Sequence, residues 1–170
     1  MVHPLVLCTM KMKFFFIGLV ALLSSCGSQN QENFAPEIEA DLIDGTPFKL
    51  SELRGEYVVL DFWGSWCGPC LADIPNLMKL YAKYGDKVVF VSVAFEKNDK
   101  RWKAVADKAG FTWKHQIVEK AAILLASPIS RAYGVADIPA KFIVTAEGKL
   151  ISGMDFQQMD AYLEASLAEK

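Results

Sequence analysis

Tyr57-Val58-Val59-Leu60-Asp61-Phe62-Trp63-Gly64-Ser65-Trp66-Cys67-Gly68-Pro69-Cys70 decides how the rest of this chain is read. The first seven residues are apolar except for Asp61, the composition of a strand covered on both faces. After Cys70 the apolar residues Ile74, Leu77, Met78, Leu80 and Tyr81 recur at helical spacing, so the two cysteines stand where a buried strand hands over to a helix. There the unpaired backbone N–H groups and the helix dipole favour negative charge, and a cysteine so placed has its pKa lowered to roughly 3.5–7.5. Cys67 is therefore the candidate nucleophile. Cys70, one turn further in, shares its helix face and is placed to attack a mixed disulfide formed at Cys67. Pro69, early in the helix, gives up an N–H that has no partner there.

The chain has 170 residues, 52% hydrophobic and 22% charged, enough for one domain with a substantial core. Its N-terminus reads as a leader. Lys11-Met12-Lys13 is followed by the apolar run Phe14 to Leu23 and by Leu23-Ser24-Ser25-Cys26: a basic region, a short hydrophobic region and a small-residue cleavage site. About 20 apolar residues are needed to span a membrane, and this run is shorter. Residues 1–25 are thus assigned to a signal peptide, 26–34 to a polar tether and 35–170 to the folded domain. Removing the leader takes away two lysines and no acid, so the remainder is more acidic than the whole chain's net charge of −2. No basic concentration points to nucleic acid.

Within the domain, Glu37–Leu42 and Pro47–Leu50 flank an Asp44-Gly45 turn and predict a β-hairpin, with Ser51 capping a short helical turn that ends at Arg54-Gly55. The pattern then predicts a strand over 57–63, a helix over 67–84 with Pro75 inside it, a strand over 88–95 and a helix over 99–109. A strand at 112–117, a helix at 128–133, a hairpin of 141–145 with 150–153 and a helix over 156–168 complete the reading. A βαβ half joined to a ββα half gives an α/β fold: a central mixed sheet with helices on both faces and an N-terminal hairpin extension.

The Cys-Gly-Pro-Cys motif, the strand before it and the later Gly134-Val135-Ala136-Asp137-Ile138-Pro139-Ala140 segment together resemble the thioredoxin superfamily. More closely, Leu50-Ser51-Glu52-Leu53-Arg54-Gly55 and Cys70-Leu71-Ala72-Asp73-Ile74-Pro75 are similar to elements of its membrane-associated TlpA/ResA-type members. The resemblance runs from about residue 35 to residue 168. It implies that Cys67 and Cys70 are the redox pair, that the peptide bond before Pro139 is cis and lies beside them, and that the Ile138 backbone pairs with substrate. Trp66, Gly68 and Pro69 would add contact surface around the nucleophile. Asp61 matches the buried acid of thioredoxin, and Asp73 stands where ResA-like members carry a glutamate. Either acid could shuttle the proton of Cys70; Asp61 is the better candidate, because its neighbours in sequence are apolar and the strand 88–95 offers no lysine to hold it ionised. The plainer reading of Asp73 is a favourable charge near the helix start. Leu23-Ser24-Ser25-Cys26 resembles a lipobox, which implies lipidation of Cys26.

Zinc is disfavoured, since there is no second cysteine pair and His115 is the only histidine after the leader. A peroxidase would want Pro-x-x-x-Thr-x-x-Cys, which the sequence lacks. The expectation is a cofactor-free thiol-disulfide oxidoreductase of the bacterial cell envelope, lipid-anchored with its domain facing the periplasm or exterior. It would reduce disulfides in partner proteins, with electrons supplied by a membrane thiol reductase and cytochrome c maturation as a client pathway. The Gly-Pro pair between the cysteines favours reduction, as in thioredoxin at about −270 mV. The alternatives are a disulfide donor or isomerase, and a non-catalytic binding module tethered to the membrane.

Overall fold

Alternation and turn chemistry shape the first elements that the structure, a computed structural model describing residues 33–97, 99–120 and 124–168, contains. The leader predicted over residues 1–25 and the proposed lipidation site Cys26 lie outside the described residues. β1 (Glu39–Asp41) and β2 (Pro47–Lys49) pair antiparallel, with Ala40 opposite Phe48. The turn between them places Gly45 at φ +83°, and the Asp44 carboxylate accepts from Thr46 N–H at 2.9 Å. The following helical turn is 3-10, Leu50–Leu53, with Lys49 at its N-cap, two residues before Ser51. Ser51 does not cap it; its N–H donates instead to the Glu37 carboxylate at 3.1 Å, so the Glu37 side chain supplies the acceptor there.

β3 (Tyr57–Trp63) is followed by α1 (Gly68–Tyr84), β4 (Val88–Phe95), α2 (Asp99–Ala109) and β5 (His115–Glu119). α1 runs on through Pro75, which removes one interior hydrogen bond. β5 begins later than the predicted 112–117, because Trp113 leaves the strand pattern to pack against Phe111 in the aromatic core, their ring centroids 4.3 Å apart. Beyond it come α3 (Pro128–Ala132), capped by Ser127 accepting from Ser130 N–H, β6 (Ala140–Val144), β7 (Leu150–Ile151) and α4 (Phe156–Ala168).

The five-stranded sheet runs β5-β4-β3-β6-β7, with β3 parallel to β4 and antiparallel to β6. β3 is therefore central, and side chains alternate between two cores. Val58, Leu60 and Phe62 face the hairpin and α3 (Ile38, Phe48, Ile129), while Val59 and Trp63 face α1, α2 and α4 (Leu77, Trp102, Leu163). Asp61 shares the second face by the same period of two. The chain is docked from Asn33 onward: Leu150 N–H donates to Asn33 O at 2.7 Å and Phe34 bridges Lys149. Gly148, at φ +88°, holds the β6–β7 turn in a left-handed conformation that favours glycine. Among the described residues no helix is long and apolar enough to cross a membrane.

Candidate active site

The register of β3 ends at Trp63, and the chain turns through Gly64, Ser65 and Trp66 before α1 begins, which makes Cys67 the N-cap of that helix. Its Sγ accepts from Cys70 N–H at 3.1 Å, so the first turn's unpaired donor is spent on sulfur. A backbone donor at a helix N-cap, together with the helix dipole, favours a thiolate at this position. Cys67 and Cys70 form a disulfide with Cα atoms 5.2 Å apart, both buried. Around them Trp66, Gly68 and Pro69 are exposed and form the rim. Across the rim the Ile138–Pro139 bond is cis, and Ile138 O lies 3.6 Å from Cys67 Sγ, within reach of a Cys67 thiol donating to it.

The turn before Cys67 is held from beneath by residues the sequence reading passed over. Glu96, just past β4, is 2% exposed; its carboxylate accepts from Ser65 N–H through Oε1 and from the Ser65 hydroxyl, at 2.9 Å, through Oε2. Next to it, Phe95 O accepts from Trp66 Nε1 at 2.7 Å. Gly64 lets the indole pass, since a Cβ there would sit 2.9 Å from Trp66 Nε1 and 3.1 Å from Phe95 O. The one available signal was an acid closing the apolar run Val88 to Phe95, a position where a strand's end meets the top of the sheet.

Below the disulfide lies a crevice with a cavity volume of about 10 Å³, room for one water, lined in part by Asp61, Cys70, Asp73, Pro139 and Lys141. The structure thus brings both candidate acids to one place. Asp61 is buried, and that burial pushes its carboxyl up to about 7; Lys141 opposes the rise and the Asp73 charge adds to it. Lys141 was missed. The strand on one side of Asp61 has no lysine, as read, and places Ser92 opposite it; the lysine arrives from β6 on the other side, opposite Asp61 in the ladder. Asp73 lies beyond the first turn of α1, and its carboxylate meets Lys141 Nζ at 2.7 Å, so its partner is a cation and not the helix end. His115 lies on β5 against Phe48, with ring centroids 5.4 Å apart. Among the described residues, no group of three His, Cys, Asp or Glu is placed to hold a metal.

Residues 32–152 match the AhpC/TSA family. The chain belongs to that family. Thiol-disulfide oxidoreductase ResA of Bacillus thuringiensis is 30% identical over 134 residues, covering 78% of this chain and 74% of that protein. A putative thiol:disulfide interchange protein DsbE from Chlorobium tepidum aligns at 26% identity and TM-score 0.64, covering 81% of this chain and 95% of its own. The C-terminal domain of a putative thiol-disulfide oxidoreductase from Bacteroides thetaiotaomicron shares the fold at TM-score 0.72 and 18% identity, covering 82% and 97%. The relatives and the Cys67–Cys70 pair make this chain a thioredoxin-like thiol-disulfide oxidoreductase.

Two stability measurements follow from this geometry. The unfolded chain ionises Asp61 near the ordinary 3.8, whereas the folded chain keeps the proton to about 7. The stability this proton confers is full below about pH 4 and is lost as pH rises through about 7. Asp61→Asn will therefore gain on the wild type between pH 4 and 7, reaching on the order of a few kcal/mol and then levelling, as read by urea unfolding of the oxidised domain. Glu96→Ala leaves two Ser65 donors without their acceptor and will lose about 1–3 kcal/mol per donor. Glu96→Gln, which keeps an acceptor for the Ser65 N–H, will lose less in the same titration.

Proposed function

We propose that the protein is a reductase of disulfides in other proteins, held at a bacterial membrane from outside the cytoplasm by a lipid on Cys26. The observation that carries the catalytic part is the placement of Cys67: N-cap of α1, on the rim formed by Trp66, Gly68 and Pro69, with the Ile138 carbonyl across from its sulfur. A thiolate there attacks one sulfur of a client disulfide, forming a Cys67–client bond and releasing the other client sulfur as a thiolate. Cys70 then gives its proton to Asp61, and its electron pair forms the Cys67–Cys70 bond as the client sulfur leaves. The client gains two electrons and the enzyme loses two. Both client sulfurs end as thiols by taking protons from solvent, and Asp61 releases its proton through the crevice. A dithiol donor, of the class of membrane thiol reductases, restores the reduced pair.

Ile138, whose carbonyl faces the disulfide, offers backbone to an extended client segment, and Pro139 shapes that surface. The lipid anchor rests on Leu23-Ser24-Ser25-Cys26 behind a basic and then apolar run. The Gly68-Pro69 pair supports reduction over donation or isomerisation, with cytochrome c maturation as the client pathway that the sequence likeness to TlpA/ResA-type proteins supplies.

Cys70→Ser will accumulate a mixed disulfide with a disulfide-bearing client, visible as a covalent adduct on non-reducing gels. Cys67→Ser will form none, and its turnover will fall to the background rate. Adduct formation through Cys70 in Cys67→Ser, or full turnover without Cys67, would contradict these roles.

A further inference from the structure

Lys141 presents one cation to two carboxylates. Its side chain is only 10% exposed, its ammonium meets Asp73 at 2.7 Å, and it lies 4.8 Å from the centre of the Phe156 ring. In the ladder it stands opposite Asp61. If both acids were ionised, the crevice would hold a net negative charge in a site with room for about one water, and an uncompensated buried charge is expensive. Neutrality is reached when one acid keeps a proton. The ion pair goes to Asp73, whose side chain is 34% exposed, and the proton to Asp61, which is buried.

The groups around Asp61 leave this division unchallenged. From β4 it faces the Ser92 hydroxyl, which accepts from Trp113 Nε1 at 3.1 Å and carries no charge. From β6 it faces Lys141, and from α1 come Asp73 and the sulfur of Cys70. Trp63, on the same strand, is apolar at its ring, and its Nε1 has no hydrogen-bond partner among the described residues. Phe156 of α4 closes over the ammonium.

We propose that Lys141 is a positioning residue for the resolving step: by holding Asp73 in a neutral pair it leaves Asp61 as the group that takes up and returns the proton of Cys70. This rests on the reading of Asp61 as proton carrier. The chemistry of the step is the one already written, with the proton passing from Cys70 Sγ to Asp61 and then out through the crevice; Lys141 takes part in no bond that forms or breaks. The directions of influence at Asp61 agree with this arrangement, Lys141 lowering and Asp73 raising its affinity for a proton. Removing the cation and removing the competing anion should therefore act in opposite senses, which a loss of packing at either position would not produce.

The test uses the reduced protein and an aromatic disulfide whose second released thiolate reports resolution by Cys70. The rate of that phase is followed by stopped flow as a function of pH. Wild type is expected to show a midpoint near 7. Lys141→Met should move the midpoint upward and Asp73→Asn downward, each by about one pH unit. Lys141→Arg should keep the wild-type midpoint, and Asp61→Asn should remove the midpoint near 7, leaving only the rise at higher pH that ionisation of a thiol itself gives. Midpoints that stay fixed, or move the same way in Lys141→Met and Asp73→Asn, while Asp61→Asn still removes the midpoint near 7, overturn the role of Lys141 and leave that of Asp61 standing. A midpoint near 7 that persists in Asp61→Asn overturns both. Asp73→Asn, at the more exposed site, carries the test alone should Lys141→Met not fold.

Discussion

The junction between β3 and α1 is the constraint on which the functional end of the molecule depends. A strand buried on both faces must deliver two sulfurs to a helix N-terminus and must also carry an acid into the space beside them. The period of two sends Asp61 to the same face as Val59 and Trp63, towards α1, so strand geometry and not a loop sets the distance between acid and thiols. The Gly64–Trp66 turn has no freedom to reposition them. It is tied to the end of β4 by the Glu96 carboxylate and the Phe95 carbonyl, and Gly64 removes the one side chain that would block the tie.

Charge in this region is distributed unevenly. Glu96 is a buried carboxylate satisfied by donors of the turn. Asp73 is satisfied by a cation, and Asp61 by retaining its proton to near neutral pH. An acid that titrates near 7 exchanges protons readily near neutral pH, whereas one held permanently ionised by a dedicated partner would be a weaker base. The same burial destabilises the fold at high pH, which is the energetic cost of the proton-carrier role proposed for Asp61.

Much of this was legible in residues 57–70. An apolar run interrupted by one acid, followed by Cys-x-x-Cys and helical spacing, is enough to place the sheet centre, the helix and the cysteine pair at its N-terminus. Local signals also located the hairpin through Asp44-Gly45 and the last hairpin through Glu147-Gly148. What failed to show was everything set by contacts distant in sequence. Lys141 sits in Ala140-Lys141-Phe142-Ile143, where a lysine reads as the exposed face of a strand; only the antiparallel register of β6 against β3 puts it opposite Asp61. Glu96 looked like a strand end because its donors lie 31 residues away. β5 was displaced because Trp113, a good strand former by type, is taken into the aromatic core beside Phe111 instead.

The most direct test of the account is the reduction potential of the Cys67–Cys70 pair in the folded domain, equilibrated against defined dithiol buffers. Electron delivery to client disulfides requires a potential on the reducing side, near the −270 mV or so of thioredoxin. A value towards about −120 mV, where strongly oxidising members of the fold lie, would contradict the assigned direction and make this a protein that gives disulfides to its clients.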